Sequence, residues 1–202
     1  ASAFKSTFEV LKDILNDVNI YFRPQGMYIV TLDTARTSLI DMHLAADNFE
    51  EYQCDQEEII AGINISNTFK LLKTITNNDV IKLEINSKEY MDIEITSDAK
   101  KTSTKFQLKL LDINENRIEV PNVMMSTITT LPSADFQRLC RDMSNLGSEI
   151  EIKREGTLLH LSCNGDFANQ ETSIECPETS PSITGLYSLK YLNIFTKATS
   201  MC

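Results

Sequence analysis

The chain has 202 residues, of which 42% are hydrophobic and 24% charged, and its formal net charge is −10. This length suffices for one large domain or for two domains of about 100 residues, each able to bury a core. The negative total argues against a conventional nucleic-acid-binding protein with a basic surface, and no apolar run is long enough to cross a membrane as a helix.

The predicted elements of the first half begin with an amphipathic helix at residues 4–17. Alternating and β-branched runs then predict strands at 27–32, 38–44, 49–55 and 59–65, with a turn at 33–37. A second amphipathic helix is predicted at 67–77, followed by strands at 80–85, 90–95 and 104–111. Residues 112–123 break the pattern, because they are polar and contain Pro121, and they indicate an exposed linker.

The same order of elements restarts after the linker. A strand is predicted at 126–131, then a helix with Ser133 as its N-cap and Gly147 as a left-handed stop. Four strands follow at 149–153, 158–163, 171–176 and 182–187, and a fourth helix at 189–199. The two halves therefore form an internal duplication with a period of about 125 residues.

The duplication predicts the domain boundaries. We predict a first domain at residues 1–111, a connecting loop at 112–125, and a second domain at 126–202 that is incomplete at its C-terminus. Matching the two copies leads us to expect one further strand before residue 1 and several after residue 202, because the second sheet would otherwise lack backbone partners.

Each predicted helix carries two basic residues on a single polar stripe. The fourth, for example, is predicted to bury Leu189, Leu192 and Phe195 and to expose Lys190 and Lys197. The four helices hold eight Lys and Arg against five Asp and Glu, whereas the rest of the chain holds 11 against 24. One such stripe is usually a solvated face, but four alike favour a mildly basic lining around a polyanion inside an acidic exterior. The eight residues are Lys5, Lys12, Lys70, Lys73, Arg138, Arg141, Lys190 and Lys197.

The sequence does not indicate catalysis. His43 and His160 lie far apart in strand-like runs, no metal-ligand spacing is present, and neither a phosphate-binding loop nor a nucleophile elbow occurs. The five cysteines form no CxxC pair, which favours reduced structural thiols in an intracellular compartment. We therefore expect no enzyme, no catalytic residue, no metal and no cofactor.

Five segments carry a resemblance to a known family. They are residues 8–16 (FEVLKDILN), 32–44, 49–55 (FEEYQCD), 136–147 (FQRLCRDMSNLG) and 191–199 (YLNIFTKAT). In order and spacing they resemble the eukaryotic-type sliding clamp, the proliferating cell nuclear antigen, over essentially the whole chain. The resemblance implies an α+β fold of two similar DNA-clamp domains, each with two helices packed on antiparallel sheet, assembling into a ring of three identical subunits.

The resemblance also assigns roles to residues. The eight basic stripe residues would face a DNA duplex, and strands at 102–110 and 171–176 would pair between subunits. The expected interface residues are Phe106, Leu108, Ser173, Ile174 and Glu175. From the residues alone, the alternative that both strands are interior stays open.

A partner pocket is implied between the linker and the turn at 33–39. Its residues would be Leu32, Arg36, Leu39, Ile118, Val120 and Pro121, and a partner would insert a short helical turn bearing one aliphatic and two aromatic side chains. Two positions depart from the family pattern. Arg36 stands where animal members have His, and Glu119 replaces a Gly before the Val-Pro pair, so affinity and partner choice are expected to differ.

The implied function is that of a processivity factor. Such a ring encircles double-stranded DNA without sequence preference, tethers replicative DNA polymerase and repair proteins with short clamp-binding motifs, and is opened by a separate ATP-driven clamp loader. We expect a homotrimer, no membrane partner, and a location in the nucleus or at the replication site of a DNA virus. Two alternatives stay open, a subunit of a heterotrimeric checkpoint clamp and a protein-binding scaffold that does not bind DNA.

Overall fold

A computed structural model describes residues 1–76 and 78–201. The chain divides into two compact units, Ala1–Pro121 and Asn122–Cys202. Among the helices described, none combines the length and the apolar character that crossing a bilayer requires.

Unit 1 contains two helices and two antiparallel sheets. Its elements are α1 (Ser2–Leu11), β1 (Asp17–Arg23), β2 (Gly26–Leu32), β3 (Leu39–Ala45), a 3-10 turn (Ala46–Asn48), β4 (Ile59–Asn64), α2 (Ile65–Leu72), β5 (Val80–Glu84), β6 (Tyr90–Ser97) and β7 (Thr102–Lys109). The first sheet has the strand order β3-β2-β1-β4 and the second β5-β6-β7. The two sheets and the two helices share one apolar core.

The alternation of apolar residues along the strands and their helical spacing along the helices both place apolar side chains in this core. Met91, Ile93 and Ile95 alternate along β6 and are buried, as are Phe8 of α1 and Leu72 of α2. Each fully buried side chain of this size stabilises the fold by about 1.5–3 kcal/mol relative to an exposed one. In the first sheet, the residues that alternate with the buried ones form the outer face.

Unit 2 packs two helices on a long hairpin. Its elements are α3 (Ser133–Ser144), β8 (Glu149–Asn164), β9 (Asn169–Ser188), α4 (Leu189–Phe195) and a 3-10 turn (Thr196–Met201). The four strands predicted between 149 and 187 are thus two strands, interrupted by register shifts between Arg154 and Leu158. Gly156 has a φ of 56° there, and the buried Arg154 guanidinium donates to the carbonyls of Gly156, Leu158 and Glu178.

Three strand predictions need correction. The sequence pattern does not predict a strand at residues 17–23, yet they form β1, because α1 ends at Leu11 rather than at residue 17. Residues 49–55 are not a strand; the Tyr52 hydroxyl instead anchors the segment, since its oxygen lies 2.8 Å from the carbonyl oxygens of both Arg23 and Gly26, which share its one hydrogen. Residues 126–131 are not a strand either, since they pair with none of the described strands.

The helix ends also differ from the predictions. Ser133 is the first residue of α3, Pro132 occupies the N-cap, and no side chain caps the helix. Gly147 does not have a positive φ. Its surroundings are tight, because an added Cβ would lie 3.0 Å from the Asn164 carbonyl oxygen, which would have to shift by a few tenths of an ångström.

Helices α2 and α4 show further differences. Helix α2 spans Ile65–Leu72 rather than 67–77, and Asn77 lies outside the described residues. In α4, Phe195 was predicted to be buried but is 38% exposed, and Ile194 is buried, because the helix ends at Phe195 and the chain turns there into a 3-10 helix.

Candidate functional site

Lys5 of α1 and Lys12, which directly follows α1, are both engaged within unit 1. Lys5 is half-buried, and its Nζ donates to the carbonyl of Ile75 beyond α2, at 2.8 Å. The Lys12 ammonium lies 2.9 Å from Asp13 and 5.3 Å from the centre of the Phe69 ring. The sequence predicted the polar stripe but not these partners, which tie α1 to α2.

The lysines of α2 are more accessible. Asn64 caps the helix by accepting from the Asn67 N–H at 2.9 Å, and Lys70 donates to the Asn67 side chain at 3.0 Å. Lys73 is exposed at the C-terminal end of α2 and has no ion pair or side-chain hydrogen bond among the described residues. Its ammonium is therefore available for an external anion.

In unit 2, helix α3 exposes both of its arginines. The Arg138 guanidinium lies 3.6 Å from the Asp135 carboxylate and 3.9 Å from that of Asp142. Both ion pairs are solvent-exposed and contribute little to stability. Arg141 is exposed and forms no ion pair within the described part of the chain. The buried face is formed by Leu139, Cys140 and Met143.

Helix α4 lies against α3 through polar contacts. Asn193 donates to the Cys140 carbonyl at 3.4 Å, and Gln137 donates to the Thr196 carbonyl at 2.8 Å. Lys190 is exposed near the Tyr191 ring, and Lys197 is exposed in the 3-10 turn. A shallow groove lined by Asn145, Lys190 and Asn193, among others, runs between the two helices.

The turn predicted to form part of the partner pocket is rigidly built. Leu32 and Leu39 face each other where β2 ends and β3 begins. The buried carboxylate of Asp33 accepts from the N–H groups of Thr37 and Ser38, both at 2.7 Å, and of Ala35 at 3.1 Å. These bonds stabilise the turn, in which the exposed Arg36 has a φ of 57°.

The second part of the predicted pocket is the segment 111–121, here named the connector. Asn19 and Tyr21, which contact it, lie on the same face of the sheet as Leu32 and Leu39, because β-strand side chains alternate. Ile118 is half-buried, Val120 is 47% exposed and Pro121 is exposed. Leu32 and Leu39 thus share one face of unit 1 with the connector at Ile113 and Arg117.

The predicted interface strands lie at sheet edges. Within the described residues, β7 pairs with β6 alone and β9 with β8 alone, so each has an edge of unpaired backbone groups. Phe106 and Leu108 are half-buried against the core of unit 1, and Ile174 packs against that of unit 2. Ser173 shares a hydrogen bond of 2.9 Å with His160 Nδ1, and Glu175 is exposed.

Perturbed titratable groups do not gather into a reactive centre in the described chain. Burial raises the pKa of the Cys140 thiol. The N–H of Thr76, which donates to Asp79, lowers the pKa of that carboxyl. No group of His, Cys, Asp and Glu suited to a metal ion occurs in the described residues. Four cysteines are free thiols, and Cys202 lies outside the described residues.

One charged network was missed in the sequence. The Glu58 carboxylate, just before β4, binds both Arg23 of β1 and Arg117 of the connector. No periodicity links residues so far apart in the chain. Only the position of Arg117 within the polar linker, close to Pro121, could have drawn attention to it.

Comparison with known proteins identifies relatives along the whole chain. The family model "Proliferating cell nuclear antigen, N-terminal domain" matches residues 1–118, and the corresponding C-terminal domain model matches 119–202. The "Probable DNA polymerase sliding clamp 1" of Paramecium bursaria Chlorella virus 1 is 35% identical over 99% of this chain and 81% of its own length. The proliferating cell nuclear antigen of Chaetomium thermophilum is 27% identical over 100% of this chain and 82% of its own.

A solved structure shares the fold. The crystal structure of the proliferating cellular nuclear antigen from Entamoeba histolytica matches with a TM-score of 0.90 at 26% identity. The match covers 98% of this chain and 81% of that one.

Proposed function

This chain belongs to the proliferating cell nuclear antigen family, and we propose from that premise that it is a DNA sliding clamp. It acts as a processivity factor that encircles duplex DNA and tethers a DNA polymerase to it. The observation that carries the proposal is the repeated pair of helices with exposed cations, present in both units of a fold shared with such clamps.

The basic residues suit a protein that must hold DNA and still move along it. Base-edge contacts would give sequence preference and stop the movement. Lys and Arg aimed at phosphates give an attraction that is similar at every step. Lys73 and Arg141 are the strongest candidates, because they are exposed and form no ion pair among the described residues. Lys70, Arg138, Lys190, Lys197, Lys12 and Lys5 are assigned to the same surface.

Retention on DNA is assigned to ring closure. A head-to-tail contact that closes needs two different complementary surfaces on each subunit. The free edges of β7 and β9 suit this role, because backbone hydrogen bonds can extend a sheet from one subunit to the next. We assign Phe106, Leu108, Ser173, Ile174 and Glu175 to this contact in a homotrimer.

Tethering is assigned to the outer face of unit 1. Leu32, Leu39, Ile118, Val120 and Pro121 would supply the apolar surface, and Arg36 is exposed in the turn between β2 and β3. Polymerases and repair proteins would dock a short helical turn there, bearing one aliphatic and two aromatic side chains. A separate ATP-driven loader would open the ring in the nucleus or at a viral replication site, and the clamp itself would catalyse no reaction.

Charge reversal tests the DNA-facing assignment. Replacing Lys70, Lys73, Arg138 and Arg141 together by Glu should abolish stimulation of a polymerase on primed DNA, because attraction to phosphates becomes repulsion. The matched control reverses Lys82, Lys88, Lys100 and Lys153, which lie outside the four helices and outside the strands β7 and β9. Stimulation that survives reversal on the helices would favour the protein-binding scaffold without DNA.

A further inference from the structure

The connector is seated on the sheet by its backbone before it reaches the pocket. Leu111 N–H donates to the carbonyl of Gly62 at 2.8 Å, and the Asn19 amide donates to the carbonyl of Ile113 at 3.0 Å. An added Cβ on Gly62 would lie 2.1 Å from the Leu111 carbonyl oxygen, so glycine is needed for this approach. These contacts hold the start of the connector but leave its later residues to be positioned.

Glu58 supplies the next contact along the connector. Its side chain is 15% exposed, and one carboxylate oxygen accepts from Arg23 Nε at 2.9 Å and lies 2.8 Å from Arg23 Nη2. The other oxygen binds the guanidinium of Arg117. One carboxylate thus holds a strand residue and a connector residue together.

The two guanidinium groups are also supported by tyrosine rings. Arg23 lies 5.1 Å from the ring centre of Tyr28, and Arg117 lies 5.4 Å from that of Tyr21. Tyr21 and Tyr28 are directly paired between β1 and β2, so the rings lie side by side on the outer face. Cation–π attraction therefore stabilises the two guanidinium groups in the same positions as their contacts with Glu58 do.

We propose that Glu58 is a positioning residue that clamps the connector through Arg117 and thereby sets the partner pocket. Arg117 immediately precedes Ile118, where the apolar residues of the pocket begin. Within the residues that the structure describes, 118–121 form no hydrogen bond or ion pair, so Arg117 is the last polar anchor before them. This role rests on the proposed function of the pocket.

Loss of the carboxylate charge should free the connector. Without it, Arg23 and Arg117 repel each other, and a partner must then order the connector as it binds, which weakens binding. In full-length protein, Glu58→Gln should lower affinity about tenfold for a synthetic helical peptide bearing one aliphatic and two aromatic side chains. Amide hydrogen exchange in 112–118 should rise, with that in β1 and β4 unchanged.

A neighbouring residue provides the matched control. Glu57 is exposed and has no ion pair among the described residues, so Glu57→Gln removes the same charge and should change neither affinity nor exchange. Since Glu58 and Arg117 act as a unit, Glu58→Gln combined with Arg117→Gln should lose no more affinity than Glu58→Gln alone.

The outcomes separate the clamp from the pocket. Equal peptide affinity and equal connector exchange in the Glu58→Gln and unaltered proteins would overturn only the proposed role of Glu58. Fully additive losses in the double variant would do the same. Failure of the unaltered protein to bind the peptide would overturn the pocket, and with it this role of Glu58.

Discussion

Residues of one type on the predicted polar stripes have different environments. Helical spacing assigned Lys5 and Lys73 to polar faces, because burial of the apolar face determines the orientation of an amphipathic helix. Spacing could not reveal that Lys5 donates to a carbonyl 70 residues away while Lys73 has no such bond among the described residues. The partner of Lys5 depends on how α1 packs on α2, which is a tertiary property.

This difference predicts different effects of substitution. Lys73→Met should reduce the slope of log affinity for DNA against log salt concentration by about one, with little change in stability, because one phosphate loses its cation. Lys5→Met should instead lower the free energy of unfolding by about 1 kcal/mol, since a half-buried site loses a charged hydrogen bond. Titrations of DNA at several salt concentrations and urea unfolding measure the two effects.

The opposite pattern would contradict this assignment. A larger change in salt dependence for Lys5→Met than for Lys73→Met would place Lys5, and not Lys73, against the phosphates. The variant Lys100→Met controls for loss of a lysine outside the helices.

At the scale of elements, periodic signals predicted the helices and most strands. They failed at β1, because the apolar spacing of α1 continues through Leu15 into Val18 and hides the helix end. They also divided β8 and β9 into four strands. The alternation of apolar residues is interrupted at the bulge around the buried Arg154, and in sequence such an interruption resembles a turn between two strands. The paired residues of the pocket, Leu32 and Leu39, were placed by resemblance and not by periodicity.

The edge strands predict self-association. Because β7 and β9 offer different free edges on the same chain, we expect the purified full-length protein to have the mass of three copies by light scattering. A stable monomer that forms a trimer only with two other proteins would contradict this and favour a heterotrimeric checkpoint clamp. Lowering the protein concentration controls for non-specific association.

At the scale of the whole molecule, the charge distribution is the main functional signal. Eight basic residues are concentrated on the four predicted helices of an otherwise acidic chain, and the two units repeat the same pairing of helices and sheet. This asymmetry explains how a chain with a net charge of −10 can belong to a family of DNA clamps. Net charge alone predicted the opposite, because it carries no information on position.

Retention on circular DNA tests the encircling of DNA most directly. Full-length protein loaded onto closed circular DNA should remain bound in high salt, because screening weakens phosphate contacts but does not open a ring. A single double-strand cut in the circle should then release it. Rapid loss from the uncut circle in high salt, or retention on the cut DNA, would contradict the proposed function.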